Sequence, residues 1–585
     1  MEYVRLRGLG VSPGIAIGEV RLTEKVVFTT RKEIISAQEV DKELKRLDKA
    51  IERTNQQLVE IRDNMKAIVG EEHAFIFEAH LLIIQDKSLM KSLRDIIQDE
   101  LVRAEWSISR VNDKYQKLFE SIDDEYLMQR KFDVADVLSK IYRNLGPTDR
   151  GKKEDGKEKI LVAHELLPSE AAMRLSKGNV LAVALDMGGQ TSHTAILARS
   201  LNIPAVMGLR NISQRVKNGD VLIVDGTDGE VLINPPVTIQ KEFASKKRKY
   251  DDYRKDLEKI ARLSSKTLDD HDFSPLANIE LPEEVPMALS MGAEGIGLFR
   301  SEFIYLQSLT PPSEESHFQI YSKIVKDAHP FPVYIRTIDM GGEKNLPQLK
   351  IEKEPNPALG LRAIRLSLRD REIFRVQLKA ILRASAMGNV KVLIPMITEL
   401  EEIKEVKRLF QEVQKELREN NVPHDEQVPL GVMIEVPAAA ALADILIKEV
   451  DYISIGTNDL IQYYLAVDRS NELVSYLFKP LHPSVLRLLK FVIETAKNEN
   501  KEVTVCGEMA ADTLSAIVLL GLGLRKFSMN PIFIPKIKNV LRSVEVKTAE
   551  EVIQEAMKLK TAQEIEECII ERILSKHPNA FLMGL

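Results

Sequence analysis

The spacing of apolar positions along this chain changes period several times, and each change predicts a different kind of structure. Residues 3 to 22 alternate apolar and polar around a Gly/Pro turn, GVSPGIAIG, which predicts strand, turn and strand. The period then lengthens. Val40, Leu44, Leu47, Ile51, Thr54, Leu58, Ile61, Met65 and Ile68 are spaced alternately by four and three. That is a heptad seam on one long helix, broken only by Thr54 and stopped by Gly70. Helical stretches follow at roughly 72–85, 87–101, 103–121 and 127–144, with no strand pattern among them. Residues 26–145 therefore read as a helical bundle, and the seam as packing inside it.

After a polar segment, GPTDRGKKEDGKEK, strands resume at Ile160 to Ala163. This part closes with DVLIVDGTDGEVLINP, a hairpin with turn chemistry at Asp225 to Gly229. The simplest arrangement is one αβ domain, residues 1–25 and 146–234, interrupted by the bundle. Residues 235–264 are highly charged and read as a solvated linker helix. From about residue 275 short apolar strands alternate with helices. The clearest strands are GIGLF (295–299), VYIRTI (333–338), VKVLIPM (390–396), LGVMIEV (430–436), YISIG (452–456), VTVCG (503–507) and KFSM (526–529). Ala277 to Ile279 supplies another. Such a rhythm within residues 265–585 predicts a (β/α)8 TIM barrel, with a doubly wound open sheet as the alternative. The fold class is thus multidomain α/β with an all-α insertion. The tail, about 545 to 585, reads as helical and polar.

Composition narrows the function without choosing it. A length of 585 residues allows three or four domains. A net charge of -6 carries no basic bias toward nucleic acid. No apolar run is long enough to span a bilayer, and the opening MEYVRLRGLG lacks the apolar core of a signal peptide. Two cysteines far apart, Cys506 and Cys568, argue against a disulfide framework and fit a reducing cytoplasm.

Two places concentrate chemistry. The first is GGQTSHTAILAR, residues 188 to 199, which follows the apolar run Val180 to Leu185. Two glycines permit a tight turn, Thr191 or Ser192 can cap a helix, and His193 falls in its first turn. There the helix end favours an anion and keeps an imidazole neutral and nucleophilic. An ordinary capping histidine is the plain alternative. The second is the set of strand ends in the barrel region, where functional groups of such folds gather. Arg300 follows GIGLF, and Arg336 lies in VYIRTIDMGGEK with Lys344 after its Gly pair. Arg362 lies in NPALGLRAIR, and Glu435 closes LGVMIE. Asn458 and Asp459 follow YISIGT, Arg469 lies in AVDRSN, and Cys506 ends VTVC. Guanidinium forks match phosphate and carboxylate oxygens. Glu435 and Asp459 lie about one βα repeat apart. Two carboxylates with room for water and phosphate oxygens suit Mg²⁺ better than Ca²⁺. No His/Cys cluster suggests zinc, and His482, in an HP turn, reads as structural.

These strings also carry a resemblance. GGQTSHTAILAR resembles the phosphohistidine signature of the phosphoenolpyruvate-utilising enzymes. GVSPGIAIG, LFRSEF, IRTIDMGGEK, NPALGLRAIR, MIEVP, GTNDL, AVDRSN and CGEM, in this order, are similar to enzyme I of the sugar phosphotransferase system. The related dikinase and synthase carry a large ATP-binding region that has no counterpart here. The resemblance implies a phosphoenolpyruvate–protein phosphotransferase with a swivelling phosphohistidine domain. Its helical insertion would dock a small histidine-containing phosphocarrier protein (HPr), and its barrel would form a homodimer. It implies His193 as phosphorylated nucleophile and Cys506 as proton donor. Arg300, Arg336, Asn458, Arg469, Arg362 and Lys344 would bind substrate, and Glu435 and Asp459 would bind Mg²⁺. The chain departs from the family pattern at Gln190 and Ala171, where many relatives have Arg and Thr. Ser301, Glu343 and Ala511 also replace a common Thr, Asp and Gly.

Overall fold

The computed structural model describes every residue except 1–2, 24–27, 29–30, 70, 121–124, 147–157, 177, 190–191, 307–310, 342–353, 470, 472 and 577–585. The chain forms two compact units, Met1–Asp252 and Tyr253–Leu585. The division falls inside the charged helix Val237–Ala261.

The first unit holds one sheet and one helical bundle. Its strands are β1 (Val4–Arg7), β2 (Leu9–Ser12), β3 (Ile15–Thr23), β4 (Lys159–Ala163), β5 (Val180–Leu185), β6 (Ala205–Met207), β7 (Val221–Asp225) and β8 (Glu230–Ile233), ordered β1-β8-β7-β3-β4-β5-β6-β2. β3 joins the halves: it runs antiparallel to β7 from Ile15↔Asp225 and parallel to β4 from Val20↔Ile160. A parallel pair needs a long crossover, and the whole bundle serves as that crossover. This is why two segments far apart in sequence share a sheet.

The bundle consists of helices Val40–Val69, Glu71–Gln85, Lys87–Glu100, Ala104–Glu120 and Glu125–Leu145. Along the seam Leu47, Leu58, Ile61 and Met65 are buried. Thr54, its polar break, is fully buried too. Its hydroxyl donates to the Ala50 carbonyl at 2.8 Å and accepts from the Asn144 amide at 2.9 Å. A buried hydroxyl with both partners costs the seam little.

The second unit is a closed parallel barrel with strands β9 (Ser274–Ile279), β10 (Ile296–Arg300), β11 (Val333–Arg336), β12 (Val390–Ile394), β13 (Leu430–Ile434), β14 (Tyr452–Ile455), β15 (Glu502–Val505) and β16 (Lys526–Met529). β16 pairs back onto β9 through Lys526↔Ser274, which excludes the open-sheet alternative. Alternation sends one set of side chains inward. Leu276, Leu298, Tyr334, Leu393, Met433, Tyr452 and Cys506 pack together there. At the N-terminal end Glu502 accepts hydrogen bonds from Tyr334, from Lys391 at 2.9 Å and from Lys526 at 2.6 Å. That ionic plug closes the bottom and leaves the C-terminal end as the mouth.

The tail is not simply polar. Helices Val546–Ala556 and Ala562–Lys576 bury Val546, Ala549, Val552, Ile553, Ala556, Ile565, Ile569 and Ile573 against the barrel core. These positions recur at helical spacing and are separated by charges, so mean polarity conceals an amphipathic pattern. Among the described residues, no helix is long and apolar enough to cross a membrane.

Candidate active site

The strand ends deliver their side chains to one cleft. Arg300 and Arg336 are the last residues of β10 and β11. Glu435 follows β13, Cys506 follows β15, and Asn458 and Asp459 lie in the first turn of the helix Thr457–Leu465 after β14. These six, with Arg362 and Arg469, line a cavity of about 290 Å³. Lys344 lies outside the described residues. Two glycines let the strand ends close up. A Cβ on Gly456 would stand 2.8 Å from Glu435 Oε2, and one on Gly507 would stand 1.8 Å from Thr457 Oγ1. No side chain fits at either place without displacing the carboxylate or the helix start.

Charge in the cleft is tightly paired. Arg336 is buried and bridges Glu302 and Asp339, the latter at 2.9 Å. Burial opposes its charge, yet Glu302, Asp339 and Glu435 hold its pKa above the ordinary value. Its Nε is buried without a hydrogen-bond partner. Arg362 reaches Asp339 at 2.9 Å, Asp459 at 3.2 Å and the Tyr463 hydroxyl at 3.0 Å. Glu435 is 2 % exposed and accepts from the Met396 amide at 2.8 Å. Burial, then the charges of Asp339 and Asp459, push its carboxyl up to about 8. Arg300 pairs with Glu280 at 2.7 Å. Glu508 gathers Arg469 at 3.0 Å and the Asn458 amide at 3.1 Å, while its own N–H donates to Asn458 at 2.8 Å.

Cys506 closes the floor of the cleft. Burial pushes its thiol up to about 11, against the pull of a hydrogen bond from Ser454. The side chain is therefore a thiol at neutral pH and has a proton to give.

The other chemical stretch lies in the first unit. Gly188 has φ +117°, a conformation glycine tolerates, and a Cβ there would meet Met207 Sδ at 2.8 Å. Ser192 is the cap: its hydroxyl accepts from Ala195 N at 3.3 Å and donates to the Gly189 carbonyl at 2.9 Å. His193 is then the first residue of the helix His193–Ser200. Its side chain, like all of Gln190 and Thr191, lies outside the described residues. Ala171 is fully buried in the preceding helix Pro168–Leu175.

Sequence reasoning passed over the carboxylates that organise the cations. Asp339, Glu302 and Glu508 all sit inside the strings that single out their neighbours: IRTIDMGGEK, LFRSEF and CGEM. A carboxylate beside arginines in such a string was the available signal. His482 accepts from Ser484 N at 3.3 Å as the cap of the helix Pro483–Asn498.

A parallel barrel whose mouth gathers guanidiniums, carboxylates and a thiol belongs to an enzyme that handles a small, multiply anionic substrate. Comparison with known proteins gives the class. Residues 254–546 match the PEP-utilising enzyme, PEP-binding domain. Residues 7–130 match the N-terminal domain of the same enzymes, and residues 156–229 their mobile domain. Over 98 % of this chain and 100 % of its own length, a phosphoenolpyruvate-protein phosphotransferase of Haemophilus influenzae is 41 % identical. One from Bacillus subtilis is 39 % identical over 96 % of this chain and 98 % of its own. An NMR solution structure of an enzyme I protein is 39 % identical, covers 42 % of this chain and 99 % of its own, and superposes with a TM-score of 0.36. The chain belongs to the phosphoenolpyruvate-protein phosphotransferase family.

Proposed function

We propose that this protein takes the phosphoryl group of phosphoenolpyruvate onto His193 and passes it to a histidine on a small phosphocarrier protein, HPr, opening phosphotransferase-driven sugar uptake. The observation that carries this reading is the convergence of Arg300, Arg336, Arg362, Arg469, Asn458, Glu435, Asp459 and Cys506 on one cleft. The unpartnered Nε of Arg336 leaves a donor for an anionic oxygen.

Each group has a task in phosphoryl transfer, where catalysis is positioning and charge neutralisation. Arg300, Arg336, Arg469 and Asn458 hold the substrate's phosphate and carboxylate, and Arg362 and Lys344 complete the cation set. Asp339 and Glu508 keep those groups in place. A nitrogen of neutral His193 attacks phosphorus, the bond from phosphorus to the enol oxygen breaks, and enolpyruvate leaves. Cys506 then gives its proton to the methylene carbon, forming pyruvate. Among the described residues no three His, Cys, Asp or Glu side chains form a metal cage. Two carboxylates, with substrate oxygens and water for the rest, are what Mg²⁺ takes. Glu435 and Asp459 would hold it, and the proton on Glu435 would give way to it. When bound, Mg²⁺ supplies charge neutralisation at the phosphate.

The carrier docks on the bundle, where Leu82 is 70 % exposed one turn from half-buried Glu78. An apolar side chain beside an acid suits a basic partner. The protein works in the cytoplasm as a homodimer joined through the barrel unit. The test is pyruvate release from phosphoenolpyruvate and Mg²⁺, with carrier and without ATP. Release that requires ATP, or that proceeds equally without carrier, rejects the reading.

A further inference from the structure

Ser454 stands on β14 beside β15, with Cys506 just beyond the end of β15. It is fully buried. Its hydroxyl donates to Cys506 Sγ at 3.4 Å, while the thiol points toward the Ile455 carbonyl at 3.7 Å. The backbone at Cys506 is fixed as well. Its carbonyl accepts from the Asn278 side chain at 2.8 Å, and Asn278 accepts from Ser528 at 2.6 Å. The sulfur thus has a donor aimed at it from inside the barrel, and the backbone carbonyl of its residue is held by a side chain of β9, two strands away.

We propose that Ser454 is a positioning residue for the proton step, holding Cys506 Sγ and stabilising the thiolate left when its proton goes to the enolate. This rests on Cys506 as the proton donor in the reading above. The Cys506 S–H bond breaks and its hydrogen joins C3. The enolate π pair becomes the new C–H bond, and the sulfur keeps the S–H pair. Ser454 retains its own proton throughout. Its hydrogen bond is weak to a thiol and strong to a thiolate. It therefore favours the product side of the proton transfer, and only such differential stabilisation accelerates a step. Water restores the thiol after pyruvate departs. Phosphoryl transfer to His193 makes no use of this bond, so the two steps respond differently to its loss.

The experiment uses the full chain with Mg²⁺. One arm follows exchange of the methyl hydrogens of pyruvate for deuterium in D2O by NMR. The other follows acid-labile phosphate appearing on the protein from radiolabelled phosphoenolpyruvate in rapid quench. Ser454→Ala is expected to slow exchange about tenfold or more, the range for a hydrogen bond to a charged group, and to slow phosphorylation far less. In a Cys506→Ala background, adding Ser454→Ala should change neither rate further. Equal slowing of both arms assigns Ser454 a merely structural role and overturns the proposal. So does wild-type exchange in Ser454→Ala when Cys506→Ala has lost it. Wild-type exchange in Cys506→Ala removes the proton-donor reading itself, and this proposal with it.

Discussion

Asp339 holds two guanidiniums at once, Arg336 at 2.9 Å and Arg362 at 2.9 Å, and is itself 7 % exposed. Asp339→Asn keeps the shape but removes the charge. Its expected effect is a rise in KM for phosphoenolpyruvate of about tenfold or more, the cost of a lost charge-assisted bond, with near-normal folding by circular dichroism. An unchanged KM would show that the two arginines hold their places without it. Glu435→Ala and Asp459→Ala should each lower the Mg²⁺ dependence of turnover in a metal titration. Unchanged titrations in both would remove the metal assignment. The cations and the thiol were legible in the chain because each ends a strand or sits in a recognisable string. Asp339 stands three residues from Arg336 in IRTIDMGGEK, so that pairing is legible in the chain, whereas its hold on Arg362, 23 residues further on, emerges only in the fold. Ser454 was invisible for a similar reason. Serine in YISIG reads as an ordinary strand residue until β14 and β15 are paired.

At the scale of elements, periodicity carried most of the fold. The heptad seam anticipated the helix Val40–Val69, and the strand rhythm anticipated the barrel. It failed where buried and charged positions interleave, as in Val546–Ala556. Another feature of packing gives a pH prediction. On the helix Glu314–Ala328, His317 lies against the rings of Tyr305 and Tyr321, with Nδ1 3.0 Å from the Ser313 carbonyl. Burial pulls its pKa down to about 4. The unfolded chain takes up this proton below about pH 6.5, whereas the folded protein resists it until about pH 4. Its neutral burial therefore costs stability as pH falls through that window, at about 1.4 kcal/mol per pH unit. His317→Phe, which keeps an aromatic ring without a titrating group, should show a shallower fall in urea midpoint from pH 7 to 4.5. Parallel profiles would mean that His317 titrates alike in the folded and unfolded protein.

For the whole molecule, the cleft belongs to the barrel unit and the carrier surface proposed above to the other unit, so the two half-reactions are expected to be separable. Glu78→Lys should slow transfer to the carrier more than self-phosphorylation, and raised salt should shrink the difference, since exposed charge is screened. Equal slowing of both, in rapid quench, would place the docking surface elsewhere. Sedimentation of the full chain should give a concentration-dependent dimer, and a monomer at every accessible concentration would contradict the homodimer. In the proposed route one imidazole carries the phosphoryl group from the cleft to the carrier. The most direct measurement is to incubate the full chain with radiolabelled phosphoenolpyruvate and Mg²⁺, map the acid-labile phosphate by peptide, and chase with carrier. Label on the His193 peptide that moves to the carrier, and is absent in His193→Ala, is the expected result. Label on His73, His80 or His482, or undiminished label in His193→Ala, would contradict it.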